Sequence, residues 1–366
     1  MQDRDATEII GLVSDQDPYG APATHAAPKK PKKRMSRRAK IILCVALVPL
    51  VLIGIGLIAG GLYLHNVESN VSRVDAFNQI PEASRPQKDA AAKGAINFLL
   101  LGSDTRDPNN TGGSRSDTII VLHLNKDQSA AQLISIPRDS WVHIPKSPNG
   151  KYGNTDSKIN ASYAWGGIPL VVQTVEGYTG VRIDHVALID FAGFKEVVDA
   201  LGGVNIDVET SFTSTHALSG PGGVRHFNKG PQLMDGAAAL DYARERYSFK
   251  DGDFARIRHQ QQVIKAILDK AASGGMLSSP TKLNAFLKAT THTVSVDQGL
   301  NLFDMATQLR HLRSGNLHFY TSPSKGTGRI GDQSVVLPDT VKAKALFAAV
   351  RSDNTAEIEQ LGAATK

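Results

Sequence analysis

Four arginines, Arg244, Arg246, Arg256 and Arg258, crowd around Asp251 and Asp253 in the stretch LDYARERYSFKDGDFARIRHQQQVIKAI, residues 240–267. Guanidinium groups stay charged at physiological pH and fork onto phosphate oxygens in pairs. On a helix starting at Asp253, with 100° per residue, Asp253, Arg256 and Gln260 share one face. Ile257, Ile264, Ile267 and Leu268 continue that face, and Arg258 points away. Burying Arg and Asp without partners costs several kcal/mol. A face that is polar for two turns and greasy beyond therefore fits the wall of a cavity with a charged mouth and an apolar depth. If the chain before it is extended, Tyr242, Arg244 and Arg246 point the same way, and arginines converging there suit a diphosphate. A helix that reaches the surface with an ordinary Asp–Arg pair has the same composition, so the segment alone leaves both readings open.

Acidic residues come earlier. Asp104 sits in GSDTR after a first apolar run, and Asp117 sits in RSDT before the next, with Arg106 and Arg115 flanking them. Neighbouring strands joined by a short loop bring two such carboxylates together. Mg²⁺ takes one or two carboxylates plus substrate phosphate oxygens. Arg138 and Asp139, in SIPRDS, end a third run. Aspartate at a strand end also makes turns, so each residue alone supports either role. The chain lacks the P-loop, dinucleotide, nucleophile-elbow and zinc-protease motifs, which argues against those chemistries. His259 stands alone and is expected at the surface.

The elements that must hold these residues alternate between strand and helix. INFLLLGS (96–103), DTIIVLHLN (117–125) and AQLISIPRD (131–139) read as strands, the first a continuous buried run. Residues 160–180 read as a helix, 185–190 as a strand, 191–203 as a helix stopped by Gly-Gly, and 204–208 as a strand. Residues 209–231 read as a long surface loop. Ser279-Pro280 starts a helix, Asp297 caps another, 317–322 is a strand and 338–350 a closing helix. This is an α/β fold with a central mixed β-sheet flanked by helices, an α/β/α sandwich.

Charge is uneven along the 366 residues. The net charge is +6, but residues 1–40 hold nine Lys/Arg against five Asp/Glu. The basic surplus is mostly in that tail, so the pI of about 9.2 is weak support for nucleic acid, and no nucleic-acid partner is expected. The single cysteine, Cys44, leaves no disulfide framework. Residues 41–64 carry no charge, longer than the ~18 apolar residues of a transmembrane helix. The cations before them place the N-terminus in the cytoplasm and the rest outside the cell membrane. The expected plan is a basic tail (1–40), a membrane anchor (41–64), a linker (65–94), one catalytic domain (95–351) and a short tail (352–366).

FLLLGSDTR, RSDTIIVLHL, LISIPRDSWVHIP, KINASYAWGG, DHVALIDFAGFKEVVDALGGVNIDV and GPQLMDGAAALDYARERYSFKDGDFARIRHQQ, in this order, resemble the LytR-CpsA-Psr family. The resemblance implies an apolar pocket for a polyprenyl chain and a phosphotransferase that moves a glycopolymer from a polyprenyl-pyrophosphate carrier onto peptidoglycan with Mg²⁺ (or Mn²⁺). It implies metal carboxylates at Asp104 and Asp117, and a pyrophosphate clamp at Arg138, Arg244, Arg246 and Arg256 beside Asp253. Arg106, Arg115, Gln260 and Ile264 would contact substrate. The further C-terminal module of many Gram-positive relatives is not expected here. The residues leave open whether water replaces the glycan acceptor, or whether the site binds lipid without turnover.

Overall fold

The computed structural model describes residues 71–103, 116–214, 224–272, 294–301, 305, 312 and 314–364. Strands and helices are numbered in chain order. Seven strands form one mixed sheet: β1 (Ser72–Val74), β2 (Ile96–Ser103), β3 (Ser116–Leu124), β4 (Ala131–Ser135), β7 (His185–Asp190), β12 (Val294–Asp297) and β13 (Leu317–Thr321). Their order is β1-β12-β7-β2-β3-β4-β13. Paired ribbons surround it: β5 (Trp141–Ile144) with β6 (Thr155–Lys158), β8 (Val204–Val208) with β11 (Gly230–Met234), β9 (Phe212–Thr213) with β10 (His226–Phe227), and β14 (Ser324–Ile330) with β15 (Gln333–Pro338).

Both faces of the central strands are apolar, and successive residues go to opposite sides. Leu99, Leu101, Ile119, Val121 and Ile134 pack into one core with helices α1 (Ala161–Thr179), α5 (Thr340–Arg351) and α6 (Thr355–Ala363). Ile120, Leu124 and Leu133 face the other way, against Ile264 of α4 (Asp253–Ala272). Helices α2 (Phe191–Ala200) and α3 (Gly236–Arg244) share a further core with Val263 of α4. The expected α/β architecture with a mixed sheet and flanking helices is what forms.

Several expectations are corrected. Part of the supposed linker belongs to the domain: β1 pairs with β12, and Val71, Val74, Ala76 and Ile80 are buried. Arg85 forks onto Glu176 and also donates to the Ile183 carbonyl, pinning that segment to α1. The supposed C-terminal tail forms α6, with Ile358 buried. Residues 209–231 include strands β9, β10 and the start of β11. Helix α1 breaks at Gly166 and Gly167, where φ at Gly167 is +63°, and resumes at Ile168-Pro169. Asp297 ends β12, accepting from Val186 N and Gly299 N and pairing with His185, and most of the helix expected after it lies outside the described residues. The helix at Ser279-Pro280 and the apolar run 41–64 lie outside the described residues. Among those described, no helix is long and apolar enough to cross a membrane.

Candidate functional site

Helix α4 carries the wall expected of it. Arg256, Gln260, Val263, Ile264, Ile267 and Leu268 line one side of a cavity of about 590 Å³. Their spacing of three and four keeps them on one face for just over three turns. The sheet supplies the floor through Leu100 and Ile120, and α2 and α3 supply Phe191, Phe194 and Leu240. The depth is therefore aliphatic and aromatic. The charges sit at the α4 N-terminus.

Arg138, Arg244, Arg246, Arg256 and Asp117 line the same cavity. Arg138 follows β4 and reaches across to Asp117, donating from Nη1 to its carboxylate. Its Nε lies 3.8 Å from Asp253 and 3.8 Å from Asp139, and Lys158 holds Asp139 from the other side at 3.5 Å. Asp253 pairs with Arg256 one turn on. Asp117 owes its direction to the sheet. Gly102 pairs with Thr118 while Ser103 pairs with Ser116, so Asp117 is the extra residue of a bulge. Bulges re-aim side chains beside functional sites.

The cluster is poorly satisfied. Neither carboxylate oxygen of Asp253 accepts a hydrogen bond, and the Nε groups of Arg138 and Arg256 donate none. Arg256 approaches Asp253 as an ion pair, off the line of a hydrogen bond. Burial pushes the Asp253 carboxyl up, and Arg256 and then Arg138 pull it back only in part. Burial likewise lowers the Arg256 guanidinium against the pull of Asp253. At Arg138 burial is outweighed by Asp117 and Asp139, and the guanidinium is raised. Buried donors and acceptors left unpaired cost about 1–3 kcal/mol each. Such a mouth favours a ligand carrying phosphate oxygens, which accept from the arginines.

Arg244 and Arg246 do not sit on an extended strand. Tyr242 and Arg244 belong to α3, whose start is capped by the Asp235 side chain accepting from Ala238 N. Tyr242 turns into the core and donates to Gln262. Arg244 ends the helix with its guanidinium 4.3 Å above the Phe191 ring, a cation–π contact at the cavity wall. Arg246 lies 4.5 Å over the Tyr247 ring. His259 is also not at the surface. It is 4% exposed, stacks on Tyr242 and Phe212, and its Nδ1 donates to the Tyr242 carbonyl.

One residue went unread. Glu245, between the two arginines, is fully buried, and its Oε1 accepts from the backbone N–H of Arg246, Tyr247 and Ser248. It builds the turn that presents Arg246. A carboxylate flanked by two arginines on a short connection was the available signal. Asp104, Arg106 and Arg115 lie outside the described residues.

Known proteins resemble the chain in sequence and fold. The chain is 30% identical over 380 residues to the cell wall biosynthesis protein LcpA of Corynebacterium glutamicum, covering 93% of this chain and 70% of that one. It is 35% identical over 263 residues to the polyisoprenyl-teichoic acid–peptidoglycan teichoic acid transferase TagU of Bacillus mycoides, covering 69% and 79%. Among solved structures, B. subtilis TagV matches with a TM-score of 0.58 and 26% identity, over 73% of this chain and 98% of that one. An LCP-type enzyme from Actinomyces oris shares the fold, with a TM-score of 0.56, 22% identity and 76% and 95% coverage. The relatives are cell-wall proteins, and TagU is by name a glycopolymer transferase. The sequence model of the LytR_cpsA_psr family matches residues 63–351, and the chain belongs to that family.

Proposed function

We propose that this protein is a membrane-anchored phosphotransferase that moves a glycopolymer from a polyprenyl-pyrophosphate carrier onto peptidoglycan. The observation that carries the reading is the α4 face, which runs from Arg256, paired with Asp253, through Gln260 to Ile264 and Leu268 along one cavity. That order of polar and apolar groups matches a lipid with a pyrophosphate head. The prenyl chain lies against Ile264, Ile267, Leu268 and Phe194, and the pyrophosphate rests on Arg138, Arg244, Arg246 and Arg256. The relative TagU, by name, takes a polyisoprenyl-linked teichoic acid and delivers it to peptidoglycan.

Phosphoryl transfer needs mainly positioning and charge stabilisation, which these arginines supply. A hydroxyl oxygen of the acceptor glycan bonds to the phosphorus next to the donor glycan. The bridging P–O bond breaks, and polyprenyl phosphate leaves. Of the described carboxylates at the mouth, Asp253 has oxygens that accept no hydrogen bond, and we assign it the hydroxyl proton. The residues also fit Mg²⁺ (or Mn²⁺). Among the described residues no group of three or more His, Cys, Asp or Glu gathers around one point, but Mg²⁺ needs only one or two carboxylates when phosphate oxygens complete its shell. Asp117, with Asp104, would hold it, leaving Asp253 free for the proton. When bound it neutralises charge developing on the phosphate oxygens.

The test is turnover of a polyprenyl-pyrophosphate glycan by the full-length protein in detergent, with Mg²⁺ and peptidoglycan fragments. The reading predicts polyprenyl phosphate release and glycan on the fragments in equal amounts. Release without glycan on the acceptor would make it a pyrophosphatase. Tight lipid binding without release would make it a binding protein.

A further inference from the structure

An aromatic pair stands apart from the cavity. The rings of Tyr152 and Trp165 stack at 6.0 Å between centroids and 17° between planes. Tyr152 is 50% exposed, and Trp165 is half-buried beneath it. Nothing in the proposed chemistry uses them, yet the chain holds them firmly. Ser147 N donates to the Tyr152 carbonyl at 2.8 Å, and Tyr152 N donates to the Ser147 hydroxyl at 3.0 Å. Gly153, at φ +89°, lies so close to the Pro145 carbonyl that a Cβ would stand 1.9 Å from its oxygen. On the other side, the break at Gly166 and Gly167 ends the first turns of α1 directly after Trp165.

Two routes through the chain tie the pair to the segments that carry the charged mouth. The β5–β6 hairpin starts where Trp141 pairs with Lys158, beside the Asp139–Lys158 contact, and Ile144 pairs with Thr155 at its far end. Three residue steps of about 3.3 Å carry it about 10 Å from Asp139. Independently, Asn160 N donates to the Arg138 carbonyl. Trp165 follows five residues later, about 8 Å along a helix. A flat ring with a negative face is a good surface for the polarised C–H face of a pyranose. Exposed Lys146 and Lys151 flank Tyr152 and suit a glycan strand that bears acidic peptides.

We propose that the Tyr152–Trp165 pair is the subsite for a sugar ring of the acceptor glycan, one or two residues along the strand from the attacking hydroxyl. This rests on the transferase reading for its purpose, and its binding step is measured separately. The probe is chitotetraose, an oligomer of N-acetylglucosamine, titrated into the full-length protein in detergent. Trp165 is one of two tryptophans, so Trp141→Phe isolates its fluorescence as the readout.

Chitotetraose should perturb Trp165 fluorescence in the Trp141→Phe background. Tyr152→Ala should weaken binding about tenfold or more, and Tyr152→Trp should hold it within about threefold. Tyr152→Leu, which keeps an apolar cover over Trp165 without a flat ring, should bind as poorly as alanine. In transfer assays Tyr152→Ala should raise the acceptor KM and leave the donor KM within about twofold. Equal binding by wild type and Tyr152→Leu, or no response of wild type to the probe, overturns the subsite. An unchanged acceptor KM overturns it too and leaves the transferase intact. If Tyr152→Leu loses the probe while wild type transfers no glycan, the sugar subsite stands and the transferase reading falls.

Discussion

Arg138 donates from Nη1 to the Asp117 carboxylate, joining the turn after β4 to the bulge of β3. The contact fixes both residues at the cavity mouth. Arg138 is also within 4 Å of Asp139 and Asp253, so one guanidinium organises three carboxylates. A lysine cannot do this, because it offers a point charge where the guanidinium offers a planar fork. Arg138→Lys is therefore expected to keep the fold and lower turnover by about 10²–10³. Asp117→Asn, which keeps the shape and loses the charge, should do the same. Turnover of polyprenyl-pyrophosphate glycan checks both, and activity within about twofold of wild type would remove the residue concerned from the machinery.

The bulge itself depends on Gly102. A Cβ there would meet Thr118 Cβ at 2.9 Å and its hydroxyl at 3.0 Å. Thr118 is the neighbour of Asp117, so relief of that clash moves the residue that aims the carboxylate. Gly102→Ala is expected to cost about 1–3 kcal/mol of stability, the usual range for overpacking. It should also lower turnover more than its stability loss explains. Pairing it with Thr118→Gly, which removes both atoms that the new Cβ would meet, should recover part of the turnover. Urea unfolding and turnover of the two variants decide it, and a Gly102→Ala protein with native activity would show that the bulge tolerates the shift.

How far the sequence could be read follows from which features are periodic. The α4 face was legible, because a 3.6-residue repeat converts the order Asp253, Arg256, Gln260, Ile264 directly into one wall. A two-residue, extended-chain reading fails at Tyr242, Arg244 and Arg246, since Asp235 caps a helix that carries Tyr242 into the core. The cap signal, Asp-Gly before three alanines, is present in the sequence. The burial of His259 was not legible, because Phe212 and Phe249 come to it from separate parts of the chain. The bulge at Asp117 is a matter of register between β2 and β3, which no single strand encodes. β1 is three residues long and carries too short a pattern to mark it as a sheet strand.

Glu245 offers the clearest separation of structure from chemistry. Its Oε1 accepts three consecutive backbone N–H groups at 2.9, 2.7 and 3.1 Å, acting as a cap for the turn from Arg246 to Ser248. Removing it costs the turn three hydrogen bonds whose donors, on exposed Tyr247 and Ser248 and half-buried Arg246, turn to water, at about 0.5–1.5 kcal/mol each. Glu245→Ala should therefore destabilise the protein by about 3 kcal/mol and raise the donor KM, because Arg246 loses its fixed position. Glu245→Gln keeps an acceptor oxygen in place and should recover most of the stability. Urea unfolding of the three proteins checks the order. Equal destabilisation by Ala and Gln would mean that charge, not the acceptor, holds the turn.

His259 predicts a pH dependence with a definite sign. Burial, with Arg258 adding to it, lowers its pKa from 6.5 to about 4. The folded imidazole is neutral in that window, with its proton on Nδ1 facing the Tyr242 carbonyl. The unfolded chain takes up a proton near pH 6.5, and the folded chain does so only near pH 4. Between these values the unfolded state binds more protons, so stability falls as pH drops. The contribution is fully present above pH 6.5 and is lost by pH 4, about 3 kcal/mol at 1.36 kcal/mol per unit. His259→Phe keeps a ring between Tyr242 and Phe212 but has nothing to titrate. It should start less stable at pH 7.5, having lost the bond to Tyr242, and then lose less stability than wild type down to pH 4.5. Urea unfolding at both pH values measures the difference, and parallel losses in the two proteins would show that His259 is protonated in the folded state after all.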